Sequence, residues 1–196
     1  MSVTIAPDDA LIVVDVQHDF LPGGALAVAE GERIFAPINA LAPRFARVYA
    51  TRDWHPADHT SYAAYGGPWP VHCVAETHGA AFDARLKLEH VDVVVDKGTD
   101  RATDGYSGFA ATGLANELRS RGVHRVFVCG LATDYCVKAT ALDAHAAGFA
   151  TVVISDASAA VNVVAGDERR ALDELRAAGV SVVTHTEILG DARLRV

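Results

Sequence analysis

Continuously apolar, β-branched runs constrain this chain more than any other feature. Residues 10–14 (ALIVV) and 125–129 (RVFVC) show no polar alternation, and similar runs occupy 47–51, 91–95 (interrupted only by Asp92), 150–154 and 180–183. A strand with one wet face alternates; a strand apolar throughout is buried on both faces, as in a parallel sheet covered by helices. Between the runs lie alanine-rich stretches of helical character at 30–45, 113–121, 135–147 and 166–178. Strand and helix in turn call for right-handed crossovers. The predicted fold class is therefore α/β, a three-layer αβα sandwich with a mostly parallel sheet of about six strands. No repeat, low-complexity tract or linker divides the 196 residues, so one domain over 1–196 is predicted.

Composition narrows the function. With 17 Lys and Arg against 25 Asp and Glu, the formal charge is −8, the wrong sign for a nucleic-acid binder. The apolar runs are far too short to span a bilayer, and Met1-Ser2-Val3-Thr4 lacks the basic-then-apolar start of a secretory signal. Three cysteines without a Cys-x-x-Cys pair argue against a disulfide scaffold and against a dithiol redox protein. The expectation is a cytoplasmic protein with reduced thiols and a small-molecule partner.

In open α/β sheets, ligands bind beyond the carboxyl ends of the strands. Asp15 follows the first run, Asp53 the second, Lys97 the third, and the fourth leads into Gly130-Leu131-Ala132-Thr133-Asp134-Tyr135-Cys136. Any one of these at a strand end is ordinarily a solvated residue. Four together would converge on one sheet edge. Cys136 falls at the start of the following helix, where free N–H groups and the dipole favour a thiolate, and Lys97 would favour it further. Asp15 is placed to take the thiol proton and return it to a leaving amine. Cys129 lies within a strand and reads as core, and Cys73 as structural.

The long irregular stretch 54–79 carries the other signal. Four of the nine histidines, His55, His59, His72 and His78, lie close after Asp53. Asp53 and His55 are two apart, which in extended chain points both side chains the same way. A carboxylate with two or three imidazoles suits Zn²⁺, Fe²⁺ or Mn²⁺ and would leave positions open for water or substrate. A polar loop whose histidines cap turns accounts for the spacing equally well.

Taken in order, several motifs resemble the nicotinamidase (pyrazinamidase) branch of the isochorismatase-like cysteine hydrolases. They are Val14-Asp15-Val16-Gln17-His18-Asp19-Phe20, Asp53-Trp54-His55-Pro56-Ala57-Asp58-His59, Trp69-Pro70-Val71-His72-Cys73, Lys97-Gly98, Tyr106-Ser107-Gly108-Phe109 and Gly130-Leu131-Ala132-Thr133-Asp134-Tyr135-Cys136-Val137. The resemblance implies an isochorismatase-like hydrolase fold and a catalytic triad of Asp15, Lys97 and Cys136. It implies metal ligands Asp53, His55 and His72, with His59 approaching or joining them. It further implies a cis peptide between Leu131 and Ala132, an oxyanion hole of the Ala132 and Cys136 N–H groups, and a ring pocket of Phe20, Trp69 and Tyr106. The implied reaction is hydrolysis of nicotinamide to nicotinate and ammonia, a step of NAD salvage, with pyrazinamide cleaved likewise. One divalent ion, zinc foremost with iron or manganese as alternatives, and no organic cofactor are implied. Two positions depart from the family pattern, His18 standing where many relatives have Asn and Tyr135 where some have His; both are expected beside the site, where they would bear on substrate preference and rate. Another amidase acting on a carbamoyl or ureido compound, or an idle ligand-binding relative, are the alternative readings. Monomer and homo-oligomer both remain open.

Overall fold

Six strands form: β1 (Asp9–Val14), β2 (Val48–Asp53), β3 (Val93–Lys97), β4 (Arg125–Leu131), β5 (Ala150–Ala159) and β6 (Ser181–Val183). The computed structural model describes residues 3–190, so the ends of the span expected as one domain, 1–2 and 191–196, lie outside the described residues. Every pairing is parallel, in the order β3-β2-β1-β4-β5-β6. The central β1 is buried along its whole length, as its unbroken apolar run requires. Its side chains alternate between two cores, Leu11 and Val13 on one face, Ala10, Ile12 and Val14 on the other. At the edge, β3 leaves Val94 exposed.

Helices cover both faces. α1 (Phe35–Leu41) and α5 (His185–Leu189) supply Ile38, Leu41 and Ile188 to the first core. α2 (Leu114–Ser120), α3 (Lys138–Ala146) and α4 (Asp167–Ala177) supply Leu114, Leu118, Ala141 and Leu175 to the second. From β1 the chain winds outward through β2 and β3, then returns to β4 beside β1 and winds the other way. The order thus reverses between β1 and β4, and the crevice for a ligand opens beyond their carboxyl ends. Among the described residues, no helix is long and apolar enough to cross a membrane.

Three local differences from the sequence-based expectation have physical causes. The helix expected over 30–45 contracts to α1 between two 3₁₀ turns, Gly31–Ile34 and Ala42–Arg44. Pro43 has no N–H for the next helical bond and its ring crowds the carbonyl four residues back, so the α-helix stops before it. β5 runs five residues past 154, through Ser155 and Asp156, with a register shift against β4 between Val128 and Gly130. Asp156 then receives the His185 N–H at the start of the unexpected α5, whose Thr184 and Glu187 form a capping box. Finally, 54–79 is less irregular than its composition suggests, being pinned by bridges His55–Val74 and Tyr62–Trp69.

Candidate active site

Asp15 stands one residue beyond β1, with a left-handed φ of 51° that Asp adopts more readily than most side chains. Beside it, β4 passes so close that a Cβ on Gly130 would lie 2.1 Å from the Val14 carbonyl oxygen. Only glycine fits there, and it carries the chain into the Leu131–Ala132 peptide, which is cis as the resemblance implies. A π-helical turn, Thr133–Val137, then delivers Cys136 just before α3.

Lys97 ends β3 in direct register with Asp53 at the end of β2. Its ammonium is fully buried, ion-paired to Asp15 Oδ2 at 2.8 Å, and hydrogen-bonded to Asp53 Oδ1 and, at 2.5 Å, to the Gly105 carbonyl. Cys136 Sγ is 3.6 Å from Lys97 Nζ. The Asp15, Asp53 and Cys136 ligand atoms lie within 4.8 Å of one another. So the four strand-end residues do meet.

Their charge states follow from burial set against pairing. Burial alone would discharge Lys97, but Asp15 and Asp53 outweigh it and raise its pKa well above the usual lysine value. Burial likewise opposes ionisation of Asp53, and Lys97 foremost overcomes it, holding that carboxyl far below its ordinary range. For Asp15 burial wins: its pKa rises to about 6, with Lys97 opposing and Asp53 adding. The Thr51 hydroxyl donates to Asp15 Oδ1 at 2.7 Å and favours the ionised form. Cys136 corrects an expectation. A dipole and one cation were to make it a thiolate, yet burial pushes the thiol well above its ordinary value, Lys97 offsets this only in part, and Asp15 and Asp53 add to the rise. The thiol is therefore harder to ionise than an ordinary cysteine, and an Asp15 oxygen lies within 4.8 Å of its sulfur.

Asp53 turns its other oxygen to two imidazoles: Oδ2 is 3.3 Å from His55 Nε2 and 3.9 Å from His72 Nε2. Both Nδ1 atoms meet backbone carbonyls, His55 at Gly98 and His72 at Pro70, each at 2.8 Å. Since a carbonyl only accepts, each Nδ1 carries the proton and each Nε2 presents a bare lone pair. The three ligand atoms lie within 4.8 Å of one another, so the donor set fits a divalent ion. Gly98 makes room for the His55 ring, because a Cβ there would sit 2.3 Å from it. His59 is outside this group, both its ring nitrogens being engaged elsewhere. It stacks on His55 at 4.0 Å, while its Nδ1 meets Ser61 Oγ at 2.7 Å and its Nε2 donates to the Thr103 carbonyl at 2.8 Å.

Both groups open into one cleft, walled by Phe20, Trp69 and Tyr106 together with Leu26, Tyr135 and Val161. Trp69 Nε1 donates to the Tyr106 hydroxyl at 3.0 Å, and Tyr135 packs edge-on against Trp69. Of the two departures, then, Tyr135 is a wall of the cleft. His18 is not beside it, since its ring stacks on His78 and faces Asp83. Cys73 and Cys129 are buried with thiols raised by burial, Cys129 within β4. Sequence reasoning gave no role to Gln17. Its buried amide donates to the Asp53 carbonyl at 2.8 Å and accepts the Asp53 N–H at 2.8 Å, holding that residue's backbone from both sides.

The isochorismatase domain family matches residues 9–187, a span containing every residue of the site. This chain belongs to the isochorismatase family. Within it, the chain is 44% identical to the nicotinamidase/pyrazinamidase of Mycobacterium tuberculosis, over 89% of this chain and 97% of that one. It superimposes on PnC1 from L. infantum in complex with nicotinate with a TM-score of 0.92, at 41% identity, covering 96% and 98% of the two chains. The pyrazinamidase of Pyrococcus horikoshii in complex with zinc superimposes at 0.84 with 47% identity, covering 91% and 99%.

Proposed function

We propose that this chain acts as a single domain to hydrolyse the carboxamide of nicotinamide to nicotinate and ammonia, and pyrazinamide to pyrazinoate. The observation that carries the reading is Asp53 itself. One carboxylate joins the Lys97–Cys136 centre to the His55/His72 pair, at the floor of a single aromatic-walled cleft. Relatives named nicotinamidase and a neighbour holding nicotinate support the same substrate.

Asp15, ionised at neutral pH, takes the Cys136 proton as sulfur bonds to the carboxamide carbon. The N–H groups of Ala132 and Cys136 receive the developing oxyanion; one such donor is worth about 2.7–4 kcal/mol. Asp15 returns the proton to the leaving nitrogen, the C–N bond breaks, and ammonia departs from a thioester. Water deprotonated by Asp15 then adds to the same carbon, the C–S bond breaks, and the proton goes back to sulfur. Lys97, fixed between Asp15 and Asp53, holds the charge of the centre steady through both halves. Phe20, Trp69 and Tyr106 hold the ring. Asp53, His55 and His72 would hold the divalent ion, which when bound supplies a Lewis acid for a ring nitrogen; the zinc in the Pyrococcus horikoshii neighbour supports zinc. His59 would join them only on releasing the Thr103 carbonyl. The three free cysteines support a cytoplasmic setting.

The test is ammonia release from nicotinamide by purified protein, with bound metal measured on the same sample. Turnover with about one divalent ion per chain, abolished in Cys136→Ala, is the expected result. Metal-loaded protein that leaves nicotinamide intact but releases ammonia from a ureido compound would overturn the reading.

A further inference from the structure

We infer that Asp134 is a positioning residue that limits the size of ring the Cys136 cleft admits, by stapling Val161 to the nucleophile turn. The inference rests on the proposed reading of that cleft. Asp134 is buried two residues before Cys136, and the mechanism gives it no part. Its Oδ1 accepts the Val161 N–H at 3.0 Å and its Oδ2 accepts the Asn162 N–H at 2.8 Å. Both oxygens are therefore engaged by consecutive amides of the segment that leaves β5. Hydrogen bonds to an ionised acceptor are the strong ones, and two from one carboxylate fix direction as well as distance.

The stapled residue is a wall of the site: Val161 lines the cleft beside Ala132, Tyr135 and Cys136. Asn162, at φ 53°, turns the chain and passes the hold onward, its Oδ1 accepting the Glu168 N–H in the first turn of α4. The next two side chains, Val163 and Val164, are 64% and 60% exposed, so they do little to press the segment down. Segments with few buried contacts open readily unless something local ties them. Asp134 is that tie. Because it belongs to the turn that carries the nucleophile, it sets the distance between Cys136 and the Val161 wall. A wall held this way favours an unsubstituted heteroaromatic ring and excludes rings with an alkyl group on the edge meeting Val161. A single methyl group in such a pocket is worth about 10–200-fold in selectivity.

The test compares Asp134→Asn, Val161→Ala and, as a control, Asp156→Asn, which removes a carboxylate that accepts a backbone N–H at α5. Substrates are nicotinamide and its 5-methyl and 6-methyl derivatives; amide exchange is followed over 160–164. Expected for Asp134→Asn are faster exchange at Val161 and Asn162, and a KM for nicotinamide raised about tenfold with kcat little changed. A methylated substrate should gain about tenfold relative to nicotinamide, and Val161→Ala should shift selectivity the same way. A variant that loses melting temperature as Asp156→Asn does, but keeps wild-type KM and selectivity, overturns the inference. Should Asp134→Asn fail to fold, Val161→Ala decides alone, and unchanged selectivity sinks the idea. Wild-type protein inactive on nicotinamide would overturn the proposed reaction instead. The staple would then be judged by exchange and by calorimetric binding of nicotinate, which Asp134→Asn must weaken about tenfold.

Discussion

Lys97 and Asp53 face each other across the β2–β3 ladder, and the hydrogen bond between them joins two groups of different chemistry. Lys97 reaches on to Asp15 and Cys136, while Asp53 reaches on to His55 and His72. Asp53→Asn should therefore damage both at once. It halves the negative charge around a buried ammonium, and breaking a buried pair costs about 3–5 kcal/mol. Since Asp15 stays in place, the lower end of that range is expected. Thermal unfolding should register the loss, and metal analysis of the same variant should find well under one ion per chain.

The His55 ring is held by the space Gly98 leaves and by the Gly98 carbonyl. In Gly98→Ala a methyl would overlap the imidazole on a backbone whose φ is already +61°. Moving the partner of a metal-ligating histidine typically lowers metal affinity about 10–100-fold. Calorimetric titration of apo protein with zinc should show that drop. Gly113→Ala, whose methyl meets nothing within 4 Å, should titrate like wild type.

The three histidines should separate by variant. His55→Ala and His72→Ala each remove a bare Nε2 from the cluster and should lower zinc affinity by more than about 100-fold, beyond the loss of an outer partner. His59→Ala removes a ring that stacks on His55 and binds Ser61 and Thr103, so its effect should stay near tenfold. Equal losses for all three would show that His59 turns from Thr103 to become a fourth ligand.

How much of this was legible without coordinates depends on what each residue is asked to do. The sheet could be read because β1 and β4 are buried on both faces, and no polar residue interrupts them. Asp15, Asp53, Lys97 and Cys136 could be read because strand ends are where a parallel sheet gathers its reactive groups. The thiol state of Cys136 could not, since it results from burial competing with three charges whose distances no spacing encodes. Gln17 and Asp134 escaped for a related reason. Each acts through side-chain bonds to a distant backbone, 36 and about 27 residues away, and a lone Gln or Asp in a motif carries no sign of that reach. His18 misled by adjacency: it neighbours the site in sequence, while the turn at His18–Phe20 sends its ring to His78 and Asp83.

The acid limb of turnover should report Asp15. Its carboxyl must be ionised to take the Cys136 proton, and burial has raised its pKa from 3.8 to about 6. Below that value the group is protonated in the folded enzyme, so kcat/KM should fall about tenfold per pH unit; above it the base is available and the rate levels off. The Thr51 hydroxyl stabilises the ionised form through Asp15 Oδ1, and Thr51→Val removes the donor while keeping the shape. Losing a hydrogen bond to a charged acceptor costs about 1.5–3 kcal/mol, and one pKa unit is about 1.4 kcal/mol. The midpoint should accordingly move upward by at least about one unit in the variant. Were the reactive species a thiolate already present at rest, the limb would follow the thiol instead, and Thr51→Val would leave it where it stands. A pH profile of kcat/KM for the two proteins distinguishes the two cases.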